Sequence, residues 1–497
     1  MGKFNKKEFG DYQTPLHFTQ DICKYLKKEL KLAPDIIIEP TCGIGNFLKS
    51  ASEFFPSIKL YGIDIDNEKL KTANKTIPNL TLINENIFDF KFDCFNKQYS
   101  YLIIGNPPWA TNSELSKLDS ANVPEKSNYR NEMAIDAMTG ESNFDISEAI
   151  MRKIISEFKD TRSTIALLCK TIVARNIFKE LIENDIEYSF IKQLNINSSK
   201  IFRIDAEACL FVLQFGEDTV KEKTCEVSDF SNPDKVLYKF GFIGNNFYSN
   251  IDNIPDIDGE CAFEWRQGVK HDCSSIMELE CKEGVLINKN KDKLSIENTL
   301  IYPLLKSSQL KKPIISETSK YIIITQKKIK QDTSYIKTLA PKTWEYLNEN
   351  KQYFDKRKSS IYKDKSDFSI FGIGDYSFKR YKVAVSGFYK NPIFSLIYGK
   401  KAFMLDDTCY YLSFDDYNHA YVTMLILNSP LVKSFLKNIA FLDSKRPYTK
   451  KVLKRIDLKR ILEILSYNAL KEIEKELGLK DYLDTNIYNN YLELLKC

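Results

Sequence analysis

Short apolar runs alternate with stretches of helical spacing in the first part of the chain, and this alternation restricts the fold most. The apolar runs lie at 35–39 (DIIIE), 60–64 (LYGID), 80–83 (LTLI), 101–105 (YLIIG) and 163–169 (STIALLC). Helical patterns such as NFLKSASEFF and DISEAIMRKIISEF stand between them. Strands that alternate with helices favour a largely parallel sheet with helices on both faces. We therefore expect an α/β domain with a Rossmann-like sheet.

The rhythm changes further along the chain. Residues 188–194 (YSFIKQL) and 208–215 (ACLFVLQF) follow each other without a long helix, which predicts an antiparallel pair closing the sheet edge. Beyond residue 220, short apolar runs such as 409–414 (CYYLSF) are mixed with helical segments. A chain of 497 residues is too long for one ordinary domain. We expect a first domain over residues 1–220 and a mixed α/β domain over 221–497.

Composition excludes several classes of protein. No apolar run reaches the roughly 18 residues of a membrane span, and the N-terminus lacks the apolar core of a secretory signal. We therefore expect a cytoplasmic protein with no membrane partner. The 11 Cys residues form no C-x-x-C pair, and the three His residues form no metal-binding motif, so no catalytic metal is expected. A net charge of +5 is weak evidence for any partner.

A glycine-containing turn follows the first predicted strand, in the stretch IIIEPTCGIGNFLKS. Glu39 ends the strand, and Gly43 and Gly45 precede a helix. Glycines there let the backbone approach a ligand, and the helix start offers free N–H groups. The acidic residue is placed to bind an amino-acid ammonium. The alternative is a tight turn that needs glycine for its conformation alone.

Polar residues also end the second and third predicted strands. Asp64, in LYGIDID, stands about 20 residues after the glycines, where nucleotide-binding folds place an acid on ribose hydroxyls. An ordinary helix-capping aspartate is the alternative. Asn86 and Asp89, in NENIFDF, are both candidates for contact with an adenine edge.

The fourth predicted strand ends abruptly in GNPPW. Pro107 and Pro108 have fixed φ angles, and the residue before a proline is kept out of the helical region. This rigidity suits a loop in which the Asn106 amide and a backbone carbonyl point at one small group. Trp109 offers a flat face for stacking. A proline-terminated strand with a core tryptophan is the alternative, but ligands bind at the carboxyl ends of such strands.

These motifs in this order resemble those of the amino-group DNA methyltransferases, which use S-adenosylmethionine and make N6-methyladenine. The matching stretches are YQTP (12–15), EPTCGIG (39–45), GIDID (62–66) and NPPW (106–109). The order of the motifs, with a target-recognition region after the catalytic half, resembles that of the gamma subgroup. The resemblance covers about residues 10 to 215. It implies a seven-stranded mixed sheet in the catalytic domain and a target-recognition domain after it.

The resemblance implies a role for each matched residue. Thr14 and Pro15 line the methionine end of the cofactor, and Glu39, Gly43 and Gly45 form its cradle. Asp64 holds the ribose, Ile65 packs on the cofactor adenine, and Asn86 or Asp89 bonds the adenine amino group. Asn106 and the Pro107 carbonyl accept hydrogen bonds from the target N6 amino group, within the rigid loop that also contains Pro108. Trp109 stacks on the flipped base, and Phe202 matches a second aromatic packed against it.

The chemistry of the target restricts the reaction. An adenine N6 lone pair is delocalised, and two fixed acceptors favour a more pyramidal, nucleophilic nitrogen that attacks the methyl sulfonium in line. No covalent intermediate is needed. A cytosine-C5 enzyme needs a Pro-Cys nucleophile, and a zinc deaminase needs H-x-E and P-C-x-x-C; both are absent. Methylation of cytosine N4, RNA or protein remains an alternative, as does a non-catalytic DNA-binding specificity subunit.

The second half must then bind double-stranded DNA. The segment SKRPYTKKVLKRIDLKR (444–460) carries eight basic residues and one acidic residue, which suits phosphate contacts. We name Lys445, Arg446, Lys450 and Lys451 as candidates; a solvated helix face is the alternative. SFKRYK (377–382) and QKKIKQ (326–331) are weaker candidates.

Cleavage is not expected from this chain. The first motif begins within a dozen residues of the N-terminus, and no convincing nuclease signature is visible elsewhere. A separately encoded restriction endonuclease is a plausible partner. We expect a monomer or a weak dimer.

Overall fold

The structure is a computed structural model that describes residues 13–74, 77, 79–110, 145–220 and 222–496. It divides into two compact units, Met1–Asp252 and Asn253–Cys497. No described helix is both long and apolar enough to cross a membrane.

The first unit contains a sheet with helices between its strands. Its described helices are α1 (Leu16–Lys28), α2 (Asn46–Phe54), α3 (Asn67–Asn74), α4 (Ile146–Phe158), α5 (Thr171–Glu183) and α6 (Ser198–Phe202). Its strands are β1 (Ile36–Glu39), β2 (Lys59–Asp64), β3 (Leu80–Asn84), β4 (Ser100–Gly105), β5 (Arg162–Lys170), β6 (Phe190–Ile196), β7 (Ala208–Phe215), β8 (Thr224–Asp229), β9 (Asn232–Ile243) and β10 (Asn246–Tyr248).

The strands form one sheet in the order β10-β9-β8-β6-β7-β5-β4-β1-β2-β3. Strands β1 to β5 are mutually parallel, and β7 lies antiparallel between β5 and β6. The central strands β1 and β4 are buried on both faces, which agrees with their nearly continuous apolar sequence. Because five strands are parallel, their carboxyl ends meet at one edge of the sheet.

Two expectations about this unit differ from the structure. The β6–β7 pair is antiparallel as expected, but it does not close the sheet, because β8 pairs with β6 and β9 and β10 extend the sheet further. The sheet therefore has ten strands rather than seven. For the same reason the first unit continues to Asp252, past the expected boundary at residue 220.

The second unit mixes strands and helices. Its strands are β11 (Arg266–Gln267), β12 (Glu278–Lys282), β13 (Val285–Asn288), β14 (Lys293–Leu294), β15 (Ile301–Leu305), β16 (Ile314–Ile315), β17 (Lys320–Ile323), β18 (Tyr381–Ser386), β19 (Ser395–Ile397), β20 (Met404–Leu405) and β21 (Cys409–Phe414). Its helices are α7 (Ser274–Met277), α8 (Ile336–Leu339), α9 (Pro341–Glu349), α10 (Lys351–Asp355), α11 (Tyr417–Leu427), α12 (Pro430–Ile439), α13 (Lys450–Leu453), α14 (Leu458–Ile464), α15 (Tyr467–Glu476) and α16 (Thr485–Lys496).

Two sheets organise the second unit: a five-stranded sheet, β11-β21-β18-β19-β16, and a six-stranded sheet, β14-β13-β12-β17-β15-β20. The apolar segment after residue 416 forms two helices, α11 and α12. Pro430 starts the second of them at a position where its missing N–H costs nothing, and the Ser429 side chain caps it by accepting from Val432 N at 3.2 Å.

Candidate active site

The glycine turn lies between β1 and α2 at the carboxyl edge of the sheet. Gly43 and Gly45 have φ angles of 53° and 78°, which favour glycine. A Cβ on Gly45 would lie 3.0 Å from the Ala73 side chain, and one on Gly43 would lie 2.9 Å from the amide nitrogen of Gln13. Both glycines are therefore required by this backbone, whether or not a ligand is bound.

Asp64, at the end of β2, organises the same turn. Its carboxylate accepts hydrogen bonds from Gly43 N at 2.7 Å and from Asp66 N at 2.8 Å. The helix-capping role that sequence alone left open belongs to Asp66, which accepts from Glu68 N at 3.0 Å. The next side chain after Asp64, that of Ile65, is 51% exposed and is free to cover a flat ligand.

Glu39 is a fully buried carboxylate at the end of β1, only 3% exposed. Its Oε2 finds no hydrogen-bond partner among the described residues. Burial, followed by the nearby negative charge of Asp64, raises the pKa of Glu39 well above its usual value of 4.5. A buried acid with an unsatisfied oxygen is unfavourable by itself, and a cationic ligand group would relieve it.

The raised pKa of Glu39 predicts a pH-dependent stability. Above pH 4.5 the unfolded chain ionises this carboxyl while the folded protein retains the proton, so the wild type loses stability as pH rises. In the absence of cofactor, Glu39→Gln should reduce this loss of folding stability by up to about 1.4 kcal/mol for each pH unit. Thermal unfolding of both proteins between pH 5 and pH 8 measures the difference. Equal pH dependence in the two proteins would refute the assignment.

The residues before α1 lie near the glycine turn. The Asn46 side chain, at the start of α2, donates to Thr14 O at 2.8 Å. Thr14 is buried, and its Oγ1 has no hydrogen-bond partner among the described residues; Pro15 is the residue that precedes α1. Asn46 was missed by sequence reasoning, because a polar residue in a first helical turn is ordinary.

The third strand contributes an asparagine that sequence reasoning also missed. Asn84 donates from its amide to the Asp64 and Ile65 carbonyls, both at 3.0 Å, and so fixes the backbone of the acidic turn. The two predicted residues differ in their surroundings. Asn86 is half-buried and accepts from Phe88 N at 3.0 Å, whereas Asp89 is exposed. The contact of either residue with an adenine edge stays a prediction.

The NPPW loop follows β4, between the ends of β1 and β5. Asn106 and Pro108 are half-buried and Pro107 is buried. The Trp109 ring is only 5% exposed: Nε1 donates to Leu168 O at 3.4 Å, and Phe202 packs edge-on with ring centres 5.3 Å apart. The two predicted aromatics are thus brought together, although the indole is covered by its neighbours rather than presented as an open face.

Lys170 links the end of this loop to Asp145, the residue that precedes α4. Its ammonium donates to Asp145 Oδ2 at 2.7 Å and lies 3.5 Å from the Trp109 carbonyl oxygen. Asp145 caps α4 by accepting from Ser147 N at 3.1 Å. Lys170 therefore positions the end of the NPPW loop. A lysine at a strand end carries no sequence signal for such a role.

The basic segment 444–460 of the second unit is not one helix. It comprises a loop, α13 and the start of α14. Half of its basic residues are held by acids of the same unit: Arg446 by Asp407, Lys450 by Glu264, Arg455 by Asp258 and Arg460 by Asp256. Lys445 and Lys451 are exposed and have no ion pair within the described residues. The charge left for a polyanion is smaller than the sequence suggests.

Comparison with known proteins identifies the family. The chain is 38% identical over 488 residues to the type II methyltransferase M.NspV of Nostoc sp., a match that covers 93% of this chain and 98% of that one. It is 24% identical over 271 residues to the modification methylase CviBIII of a Paramecium bursaria Chlorella virus, covering 51% of this chain and 66% of that one. No protein-family model matches.

The protein therefore belongs to the type II methyltransferases of restriction–modification systems and uses S-adenosylmethionine. The structure of the type IIL restriction–modification enzyme MmeI in complex with DNA aligns with a TM-score of 0.53 and 12% identity, over 99% of this chain and 77% of that one. At that identity the likeness shows a shared fold.

The turn fits S-adenosylmethionine on its own geometry. The unsatisfied Glu39 Oε2 and Thr14 Oγ1 suit the amino-acid end of the cofactor, and Asp64 suits its ribose. The exposed Ile65 suits the adenine face. When bound, the cofactor supplies a methyl group on an electrophilic sulfonium.

Proposed function

We propose that the protein methylates the N6 amino group of adenine in a specific sequence of duplex DNA. The observation that carries the proposal is the position of the NPPW loop. The loop follows β4, which lies beside β1 in the sheet, and β2 lies on the other side of β1. Strand β1 ends at the buried Glu39, and β2 ends at Asp64. A cofactor on β1 and β2 would present its methyl group toward the loop at β4.

The loop supplies what an amino nucleophile requires. The Asn106 side-chain oxygen and the Pro107 carbonyl act as the two acceptors for the amino hydrogens, held by the two prolines. Hydrogen bonds from both amino hydrogens to these acceptors localise the nitrogen lone pair, which then points toward the sulfonium. Positioning and preorganised dipoles account for the rate gain, and no covalent intermediate with the enzyme is formed.

A base inside a duplex cannot reach such a loop, so the adenine must be flipped out of the stack. Trp109 and Phe202, in edge-on contact, form the aromatic side of the base site. Since Trp109 is covered in this structure, base entry must displace some of the groups around it. The second unit acts as the target-recognition domain, with Lys445 and Lys451, unpaired among the described residues, as phosphate contacts; Arg446 and Lys450 are already held by Asp407 and Glu264.

The product identifies the function. Incubation of duplex DNA with methyl-labelled S-adenosylmethionine, followed by digestion to nucleosides, should place the label in N6-methyl-2′-deoxyadenosine. Label in N4-methylcytosine, in RNA or in protein would replace the proposal with one of its alternatives. A non-catalytic specificity subunit would leave every substrate unlabelled.

We infer that this chain methylates without cleaving and that a separately encoded endonuclease recognises the same sequence. DNA modified by the protein should resist that endonuclease. Cleavage of unmodified DNA by the purified chain would contradict the inference.

A further inference from the structure

A groove of about 650 Å³ opens on the second unit, and its lining contains no residue of the basic segment 444–460. Its lining includes two lysines, one arginine, one tyrosine and an exposed isoleucine: Lys328, Lys379, Arg266, Tyr376 and Ile329. Glu264 and Asp375 also line it. Basic groups beside an aromatic ring are typical of surfaces that meet nucleic acid.

Arg266 is held in a defined plane within this groove. It belongs to β11, the edge strand of the five-stranded sheet, and pairs with Tyr411 of β21. Its guanidinium carbon lies 4.4 Å from the centre of the Tyr376 ring. Nη2 is bonded to Glu264, a carboxylate that also binds Lys450 at 3.3 Å. The side chain remains 35% exposed. Such a preorganised fork loses little entropy when it binds a planar partner.

The loop 327–330 contributes Lys328 and Ile329 to the lining of the groove and carries unneutralised charge. Lys327, Lys328 and Lys330 are all exposed, and none has an acidic partner within 4.0 Å among the described residues. This differs from segment 444–460, where half of the basic residues are ion-paired.

The same loop is held by its own hydrogen bonds. The Gln331 side chain accepts from Lys327 N at 2.7 Å, and the Gln326 amide bonds the Gln331 carbonyl. Gln326 Oε1 in turn accepts from Ile370 N at 2.7 Å. Its lysines are therefore presented on a fixed backbone, so the cost of ordering them on a phosphate backbone is reduced.

We propose that this groove is the sequence-reading surface of the second unit, and that Arg266 recognises a guanine. Arginine donates two parallel hydrogen bonds to guanine O6 and N7 in the major groove, the most frequent base-specific contact in such complexes. Lys328 contacts a phosphate and contributes affinity without specificity. Glu264 orients Arg266 through their ion pair. The proposal rests on the proposed function and adds to it the base that is read and the residue that reads it.

Specificity measured at each position tests Arg266. Sequencing of methylated adenines first gives the recognition sequence, which must contain at least one G·C pair. Methylation rates are then compared over duplexes carrying every single substitution. At one G·C position, Arg266→Gln should lose about 10- to 100-fold of the preference for guanine over adenine, because glutamine matches adenine instead. Arg266→Lys should retain more of the preference for guanine than Arg266→Gln does. All other positions should keep wild-type discrimination.

Alanine variants of Lys328 and of a second exposed lysine, Lys282, test the phosphate contact. Lys328→Ala should weaken binding to all sequences equally and lower the slope of log affinity against log salt concentration by about 0.9. Lys282→Ala removes another exposed lysine, 62% exposed on β12 and paired with Glu280 at 3.2 Å, and should change neither quantity. Fluorescence anisotropy with labelled duplexes gives both slopes.

The outcomes separate this proposal from the proposed function. Wild-type protein that methylates DNA, together with an Arg266→Gln variant of unchanged discrimination, would overturn the role of Arg266 alone. A recognition sequence without G·C pairs would do the same. Misfolding lowers methylation of every duplex by one factor and cannot imitate a change at a single position. If Arg266→Gln is inactive, competition binding between cognate and substituted duplexes gives the same ratio. Wild-type protein that does not methylate DNA would refute the proposed function first.

Discussion

Asn106→Ala should bind S-adenosylmethionine with nearly wild-type affinity and lose methyl transfer by about 100- to 1,000-fold, the range seen when one preorganised hydrogen bond to a reacting group is removed. The substitution deletes one of the two acceptors proposed for the amino hydrogens and leaves the prolines in place. The cofactor residues lie at the ends of other strands, so their hydrogen bonds are unaffected. Single-turnover transfer with saturating DNA measures the chemical step, and calorimetry measures cofactor binding.

Asn96 provides a control in the segment before the same strand. It precedes the amino end of β4, at the edge of the sheet opposite to Asn106, and it is exposed. Its side chain accepts only from Gln98 N, at 2.9 Å, among the bonds of the described residues. Asn96→Ala should therefore keep full activity. Equal activity of the two alanine variants would show that the loop does not activate the amino group.

Asp64→Ala should weaken S-adenosylmethionine binding about 100-fold. Hydrogen bonds to charged groups contribute about 1.5–3 kcal/mol each, and two ribose hydroxyls at the lower value account for this loss. The variant also leaves Gly43 N without the carboxylate that it contacts at 2.7 Å, so the cofactor turn is less well ordered. Isothermal titration with cofactor measures the change in affinity.

Asp66, two residues away, separates binding from folding. Its carboxylate caps α3, and Asp66→Ala should cost about 1 kcal/mol of stability while cofactor affinity stays within a few-fold. Thermal unfolding and titration of both variants give the comparison. If Asp66→Ala weakened the cofactor as much as Asp64→Ala, the loss would reflect turn stability alone and the ribose assignment would fall.

The sheet was predictable because local patterns determine it. Strands β1, β2, β3, β4 and β5 overlap the apolar runs recognised in the sequence. The extra strands β8 to β10 were not predicted, because their burial is partial: in β9, residues 234–237 are all exposed and only Phe240 and Gly241 are buried. A strand that depends on a neighbour for its hydrogen bonds leaves a weak periodicity in its own sequence.

The residues of the candidate site likewise include some that the sequence predicted and some that it did not. Glu39, the two glycines, Asp64 and Asn106 were recognisable because each stands at a strand end or in the turn that follows it. Asn84, Asn46 and Lys170 were not recognisable, since each acts through a side chain that reaches a backbone carbonyl contributed by another segment. Such a contact has no spacing rule.

By itself the sequence determined the α/β class, the order of the motifs and the residues that end the strands, because periodicity and turn chemistry are local properties. Only the tertiary structure decided which charges remain available. It neutralised half of the basic segment 444–460 with acids distant in the chain and left the shorter loop 327–330 unpaired. Ion pairing between distant segments depends on which residues the fold brings within about 4 Å, and charge counts along a chain contain no such information.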